Sequence, residues 1–226
     1  MLIIASIVAL FIAYLFGSIP VGFLVARAYG IDVTASGSGR IGGTNVLRAA
    51  GAPAAGMTVA GDLFKGLIPV YLLRWFFPVV AVMAMGEVSD TVEMYANLVI
   101  ALSMPAAVLG HNHSIFLGFK GGVGAGTAVG TLGGVHFVAA VLTAAFALIA
   151  LAISRYASIL STTVAISGVV LLVIFAAMGQ IPAIYILGAV LNLAIIVNAL
   201  RPNYARLRAG NERRVGQKTE NITKIK

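Results

Sequence analysis

Cysteine is absent from the 226-residue chain, which excludes disulfides, thiolate nucleophiles and thiolate metal ligands together. Charge is scarce as well. Asp and Glu number seven and His three, too few to furnish a dedicated metal cage, so no metal is expected. Charged residues of both signs make up only 10% of the sequence, whereas 60% is hydrophobic and the mean hydropathy is +1.03. Such a chain is an integral membrane protein rather than a soluble domain. The formal net charge of +8 suggests nucleic acid until the positions are read. Eight of the fifteen Lys and Arg lie from Arg201 onward, directly after an apolar span, where membrane orientation and anionic headgroups place them. Membrane lipids, not nucleic acid, are therefore the expected surroundings. The first 26 residues carry no charged side chain and no basic n-region, which reads as an uncleaved span rather than a signal peptide.

Within this apolar chain one stretch stands out: Ser36-Gly37-Ser38-Gly39-Arg40-Ile41-Gly42-Gly43-Thr44-Asn45-Val46-Leu47-Arg48. Glycines allow successive N–H groups to converge, and a nest of this kind beside fixed positive charge suits a phosphate. The spacing Gly37-x-Gly39-x-x-Gly42 also matches a dinucleotide fingerprint, but that fold needs a preceding strand, and an apolar helix precedes it here. A second glycine-rich turn, Phe119-Lys120-Gly121-Gly122-Val123-Gly124-Ala125-Gly126-Thr127, leads into a helix whose N-terminus is another candidate anion site. It lacks the Lys-Ser/Thr ending of an ATP-binding loop.

Charge fixes the expected topology. A first span over residues 2–25 reaches the basic, cytoplasmic side at Arg27. Gly17-Ser18-Ile19-Pro20 lies inside it, where small residues and a proline serve close helix packing. A second span, 52–82, holds Asp62 and Lys65 on one helical face, either as a functional pair or as a structural ion pair. Arg74 is expected to snorkel at the outer interface. A third span, 94–109, ends at Gly110-His111-Asn112-His113, where His111 reads as a base, a phosphate donor or a satisfied interfacial residue. Residues 121–154 are uncharged but too few for two full crossings, and one crossing would leave the basic tail outside. At least one limb is then a short half-helix turning near Gly133-Gly134-Val135-His136. The result is an all-α polytopic protein of about seven segments, N-terminus out and C-terminus in, with a membrane domain over 1–208 and a basic, solvated or lipid-facing tail over 209–226. Ser158, near the start of a helix, donates to the site or caps that helix. The sequence sets no oligomeric state.

Taken in order, Gly17-Ser18-Ile19-Pro20, Gly37-Ser38-Gly39 with Gly42 and Thr44-Asn45, Asp62-x-x-Lys65-Gly66, Gly110-His111, Phe119-Lys120-Gly121-Gly122, Arg155-Tyr156 and Asn203 resemble the acyl-phosphate-dependent glycerol-3-phosphate acyltransferases of bacterial membranes. The resemblance implies transfer of a fatty acyl group from acyl phosphate to the 1-hydroxyl of glycerol 3-phosphate, without cofactor, at the cytoplasmic face of the inner membrane. By that carry-over Ser38, Thr44, Asn45 and Arg48 would bind a substrate phosphate, and Ser158 and Asn203 would help position glycerol 3-phosphate; with the residues read for themselves as well, Ser38, His111 and Asn203 stand nearest the chemistry. Gly37, Gly39, Arg40, Gly42, Thr44, Asn45, Arg48, Lys65, Lys120, Gly121, Gly122, Gly124, Ser158 and Arg201 would hold phosphate. The chain departs from the family pattern in four places. Val123 and Leu200 stand where a lysine and a histidine are usual, Arg40 replaces an asparagine, and Ser114 replaces a proline. Arg40, Lys120 and Arg201 are the cations available to substitute for the missing lysine. The absence of an ordered nucleophile is consistent with direct attack by the glycerol hydroxyl, its proton passing to the substrate's own phosphate or to His111. The competing readings are a paralogue that is inactive or altered in specificity, binding lipid or phosphate, and a small-solute transporter.

Overall fold

The computed structural model describes residues 1–217 and 222–225, and every regular element among them is helical. The first span is broken. Helix α1 (Leu2–Ser18) and helix α2 (Val21–Ala28) meet at Ile19 and Pro20, where the proline lacks the N–H that would continue the ladder. After the first glycine loop come the short helix α3 (Gly43–Ala50) and helix α4 (Ala52–Met85), the latter about 51 Å long at 1.5 Å per residue. Helix α5 (Asp90–Asn112) starts at Ser89, whose hydroxyl accepts from the Val92 N–H at 3.4 Å, with Asp90 and Glu93 in the first turn where the helix dipole favours them. Helices α6 (Ala125–Val135), α7 (Phe137–Ser154), α8 (Ala157–Ala177), α9 (Tyr185–Ala199) and α10 (Arg201–Arg208) complete the chain. Five of these helical runs are long and apolar enough to cross a bilayer, or six if α9 and α10, bent by 54°, count as one.

Helix α6 is the short limb. Its 11 residues span about 16 Å, roughly half the hydrocarbon thickness, and it turns into α7 at His136. It lies directly on α4: a Cβ at Gly66 would meet the Thr127 carbonyl, and one at Gly130 would meet the Leu63 carbonyl, so only glycine lets the two backbones approach this closely. Its C-terminal end is closed by Arg74, whose Nη1 donates to the Val135 carbonyl at 2.6 Å. Arg74 is exposed, as a snorkelling side chain would be, and it also serves this helix end. The guanidinium satisfies a helix-end carbonyl that lipid would leave bare.

A core of Val70, Ile100, Met104, Leu132, Leu172 and Tyr185 fills the space between α4, α5, α6, α8 and α9. Large apolar residues such as Phe11, Trp75, Phe76, Phe137 and Ile153 face outward, the surface that acyl chains would cover. Most described residues of the tail are exposed, and it touches the helical body through backbone hydrogen bonds. Val215 donates its N–H to the Arg155 carbonyl at 2.7 Å, and Asp32 donates its N–H to the Thr223 carbonyl at 2.9 Å.

Candidate functional site

The first glycine loop is shaped by Asn45. Its Nδ2 donates to the carbonyls of Val33 (3.2 Å), Ser36 (3.0 Å) and Arg40 (2.9 Å), while its Oδ1 accepts from the Ser38 N–H at 3.1 Å. Gly37 and Gly39, at φ +59° and +70°, supply the left-handed turns this path requires. With both ends of its amide engaged on the loop, Asn45 forms the cradle rather than reaching beyond it. Ser38, Thr44 and Gly42 remain on the wall of a cavity of about 750 Å³, as do Gly122 and Gly124 from the second glycine turn. The two glycine-rich stretches therefore face one space.

Two guanidinium groups enter that space without a carboxylate partner among the described residues. Arg40 donates through Nη1 to Asn203 Oδ1 and through Nη2 to the Ala199 carbonyl, both at 2.8 Å. Arg48 donates through Nη2 to the carbonyls of Arg213 and Arg214, each at 3.3 Å, and its Nε is buried with no partner among the described residues. Burial pushes both guanidinium groups down from their ordinary pKa values, and Arg206 repels the first as Arg213 repels the second. They stay protonated, so each is a desolvated cation that gains from an arriving anion. The cavity's two carboxylates are already matched: Asp62 lies 2.8 Å from Lys65, and Glu212 accepts from Arg206 at 2.7 Å and from Asn203 at 2.6 Å.

The structure sorts the remaining sequence candidates. His111, Ser158 and Asn203 line the cavity. Ser158 does not cap α8: Tyr156 occupies the cap position, and Ser158 is 1% exposed with its buried hydroxyl unpartnered among the described residues. Lys65 is placed otherwise than the sequence implied, buried with Asp62 and donating to the Ile19 carbonyl at 2.9 Å, away from the cavity wall. Lys120 and Arg201 are corrected likewise, both solvent-exposed and outside the cavity lining. Of the three cations available to replace the missing lysine, Arg40 alone reaches the cavity. Gly121 sits behind it, where a Cβ would meet the His111 and Asn112 carbonyls. Val123 and Leu200 both line the cavity and share an apolar cluster with Val164 and Ile196. The wall also includes Ala147, Leu148 and Leu151 of α7 and Leu160 of α8. Arg206, which the sequence offers with Arg201 and Asn203 as a residue that could close over the site, lines the cavity, whereas Glu212 is not among the sequence candidates, since a basic tail gives no hint that one of its few acids folds inward with its side chain 6% exposed.

A cavity lined both by cationic and glycine-rich segments and by apolar side chains of α7 and α8 suits a molecule with a phosphate head and a hydrocarbon tail. The family profile described as Glycerol-3-phosphate acyltransferase matches residues 7–210. The chain belongs to the glycerol-3-phosphate acyltransferase family. A curated member from a Thermus thermophilus strain is 40% identical over 96% of this chain and 98% of its own length, and one from a Roseiflexus species is 39% identical over 93% and 96%. The crystal structure of PlsY (YgiH), an integral membrane glycerol 3-phosphate acyltransferase in its glycerol 3-phosphate form, superposes with a TM-score of 0.76 at 32% identity, covering 94% of this chain and 96% of that one. The lysophosphatidic acid form gives 0.75 at the same identity. Membership of this family makes the chain an integral membrane acyltransferase.

Proposed function

We propose that the chain transfers a fatty acyl group from acyl phosphate to the 1-hydroxyl of glycerol 3-phosphate, yielding lysophosphatidate and inorganic phosphate. The hydroxyl oxygen forms a bond to the acyl carbonyl carbon and the bond from that carbon to the phosphate oxygen breaks. The hydroxyl proton passes to a phosphate oxygen or to His111. One observation carries this reading: both glycine loops, Arg40 and Arg48 meet on a single 750 Å³ cavity whose far wall is apolar. An acyl phosphate is a mixed anhydride with its leaving group already activated. Holding two phosphate-bearing reactants together and screening their charge is then most of the catalytic task. N–H groups at the loops and two desolvated guanidinium groups supply the screening.

In this reading seven segments cross or enter the inner membrane of a bacterium, counting α1 with α2, then α4, α5, the half-helix α6, α7, α8 and α9. The N-terminus lies outside, and the loops and tail face the cytoplasm, where both phosphates are available. The basic residues from Arg201 onward favour that orientation. A transporter would need a path to the opposite face, whereas the packed core around Met104 and Leu172 occupies the middle of the bundle.

Purified protein supplied with a long-chain acyl phosphate should release inorganic phosphate only when glycerol 3-phosphate is added. Release that ignores the acceptor, or none at all, overturns the proposal. A second reading, a member with altered or weakened acceptor binding, is favoured by Val123 and Leu200 in the cavity wall. Val123→Lys should raise the rate if the loss is only weakening, and an unchanged rate would show that Arg40 already fills the role.

A further inference from the structure

Asp62 and His111 come from different helices, α4 and α5, and meet at the cavity wall. Asp62 Oδ1 lies 3.4 Å from His111 Nδ1, with the two side chains only 7% and 3% exposed. Neither atom makes an aligned hydrogen bond to any described residue. Two buried polar atoms facing each other in this way are each other's available partner, and a small tilt of the ring brings them into line. Lys65 forms an ion pair with the same oxygen, its Nζ 2.8 Å away, and spends its hydrogen bond on the Ile19 carbonyl beside Pro20. The lysine thus balances the charge of Asp62 and pins it to the broken first span.

On its far side the imidazole presents Nε2 to Gly122. A Cβ on residue 122 would overlap that nitrogen, and the Gly122 N–H donates to the His111 backbone carbonyl at 3.1 Å. Ring and loop are therefore fitted to each other. From this geometry we propose that Asp62 is the positioning residue for His111. It accepts the Nδ1 proton and so fixes the tautomer whose unprotonated Nε2 faces the second glycine loop, ready to accept a hydrogen bond or proton from a substrate group. Lys65 acts through Asp62 and touches no substrate. A bare ion pair would need only Asp62 and Lys65, and it explains neither the histidine on the shared oxygen nor the glycine cut away to admit its ring.

The proposal rests on the acyltransferase reading only for its kinetic arm. Asp62→Asn alone, and Asp62→Leu combined with Lys65→Met, which removes both charges so that neither is left unpaired in the membrane, should each lower kcat at least tenfold. KM for acyl phosphate and for glycerol 3-phosphate should stay within about threefold, because the phosphate cradle is untouched. Wild-type kcat in the double variant overturns the proposal and reduces the cluster to an ion pair. The second arm needs no turnover. In protein carrying ¹⁵N-labelled histidine, the His111 resonance, assigned by its loss in His111→Gln, should report an Nδ1-protonated neutral ring in wild type and a mixed or Nε2-protonated ring in both Asp62 variants. An Nε2-protonated ring in wild type, or no change on removing Asp62, overturns it. Inactive wild type with the expected resonance would count against the acyltransferase reading alone.

Discussion

The two ends of α6 share a helix, a dipole and a membrane, yet the protein treats them in opposite ways. At the C-terminal end Arg74 donates to the Val135 carbonyl, and His136 accepts from the Ala139 N–H at 3.2 Å, starting α7, while its Nε2 lies 3.3 Å from Gln180 Oε1 and its ring stands 4.0 Å from that of Phe175. Each of these side chains has a partner in the chain. At the N-terminal end Gly124, at φ +92°, provides no side-chain cap, and around it Ser158 Oγ, Thr127 Oγ1 and both ends of the Asn112 amide are buried without partners among the described residues. Buried polar groups are nearly always satisfied in folded proteins, and of these exceptions Ser158 lines the cavity, so its hydroxyl is the one placed to bond something other than protein. The open end is also the positive end of the dipole, and an anion completes it best.

The largest disturbance to the open end should come from Gly122→Ala. The added Cβ overlaps His111 Nε2, and the loop is tied to the His111 carbonyl, so ring and loop cannot both keep their places. We expect acceptor-dependent phosphate release to fall by at least two orders of magnitude, and thermal unfolding of the detergent-solubilised protein to show some loss of stability. Activity within twofold of wild type would mean that ring and loop do not need each other.

The closed end should respond in stability rather than in rate. Arg74→Met removes the donor to the carbonyl of buried Val135 and leaves that carbonyl without this partner, which costs about 1–3 kcal/mol. For a chain of this size that amounts to a fall in Tm of roughly 2–4 °C per kcal/mol. KM values should not move. A raised KM would show that the two ends are coupled through the helix and that the contrast drawn between them is too sharp.

Much of this contrast is legible in the chain itself. The half-helix follows from counting, since residues 121–154 hold too few positions for two crossings and the basic tail forbids one. Both glycine stretches announce themselves by composition. The exposure of Arg74 fits its expected place, but its bond to the Val135 carbonyl is not legible, because the bias of Arg toward interfaces says nothing of a neighbouring helix end. Lys65 misleads because a lysine in a span signals function, while the carbonyl that holds it, Ile19, belongs to a different helix break. The approach of Asp62 to His111, the folding back of Glu212 and the exposure of Lys120 and Arg201 are products of tertiary packing, to which periodicity and spacing are blind.

Ser158 gives the finest test, because the two roles read from its position predict opposite results. A hydroxyl that capped α8 would cost about 1 kcal/mol of stability on replacement by alanine and would leave substrate binding alone. In the structure that hydroxyl is buried at the cavity wall with no partner among the described residues, so Ser158→Ala removes an unsatisfied group and should leave Tm unchanged or slightly raised. If the hydroxyl waits for a phosphate oxygen, KM for one of the two phosphate substrates should rise a few-fold while kcat holds. The identity of that substrate would then show which phosphate sits at the α8 end of the cavity and, by elimination, which one the glycine loops hold. A drop in Tm with unaltered KM would return Ser158 to the closed class of groups exemplified by Arg74.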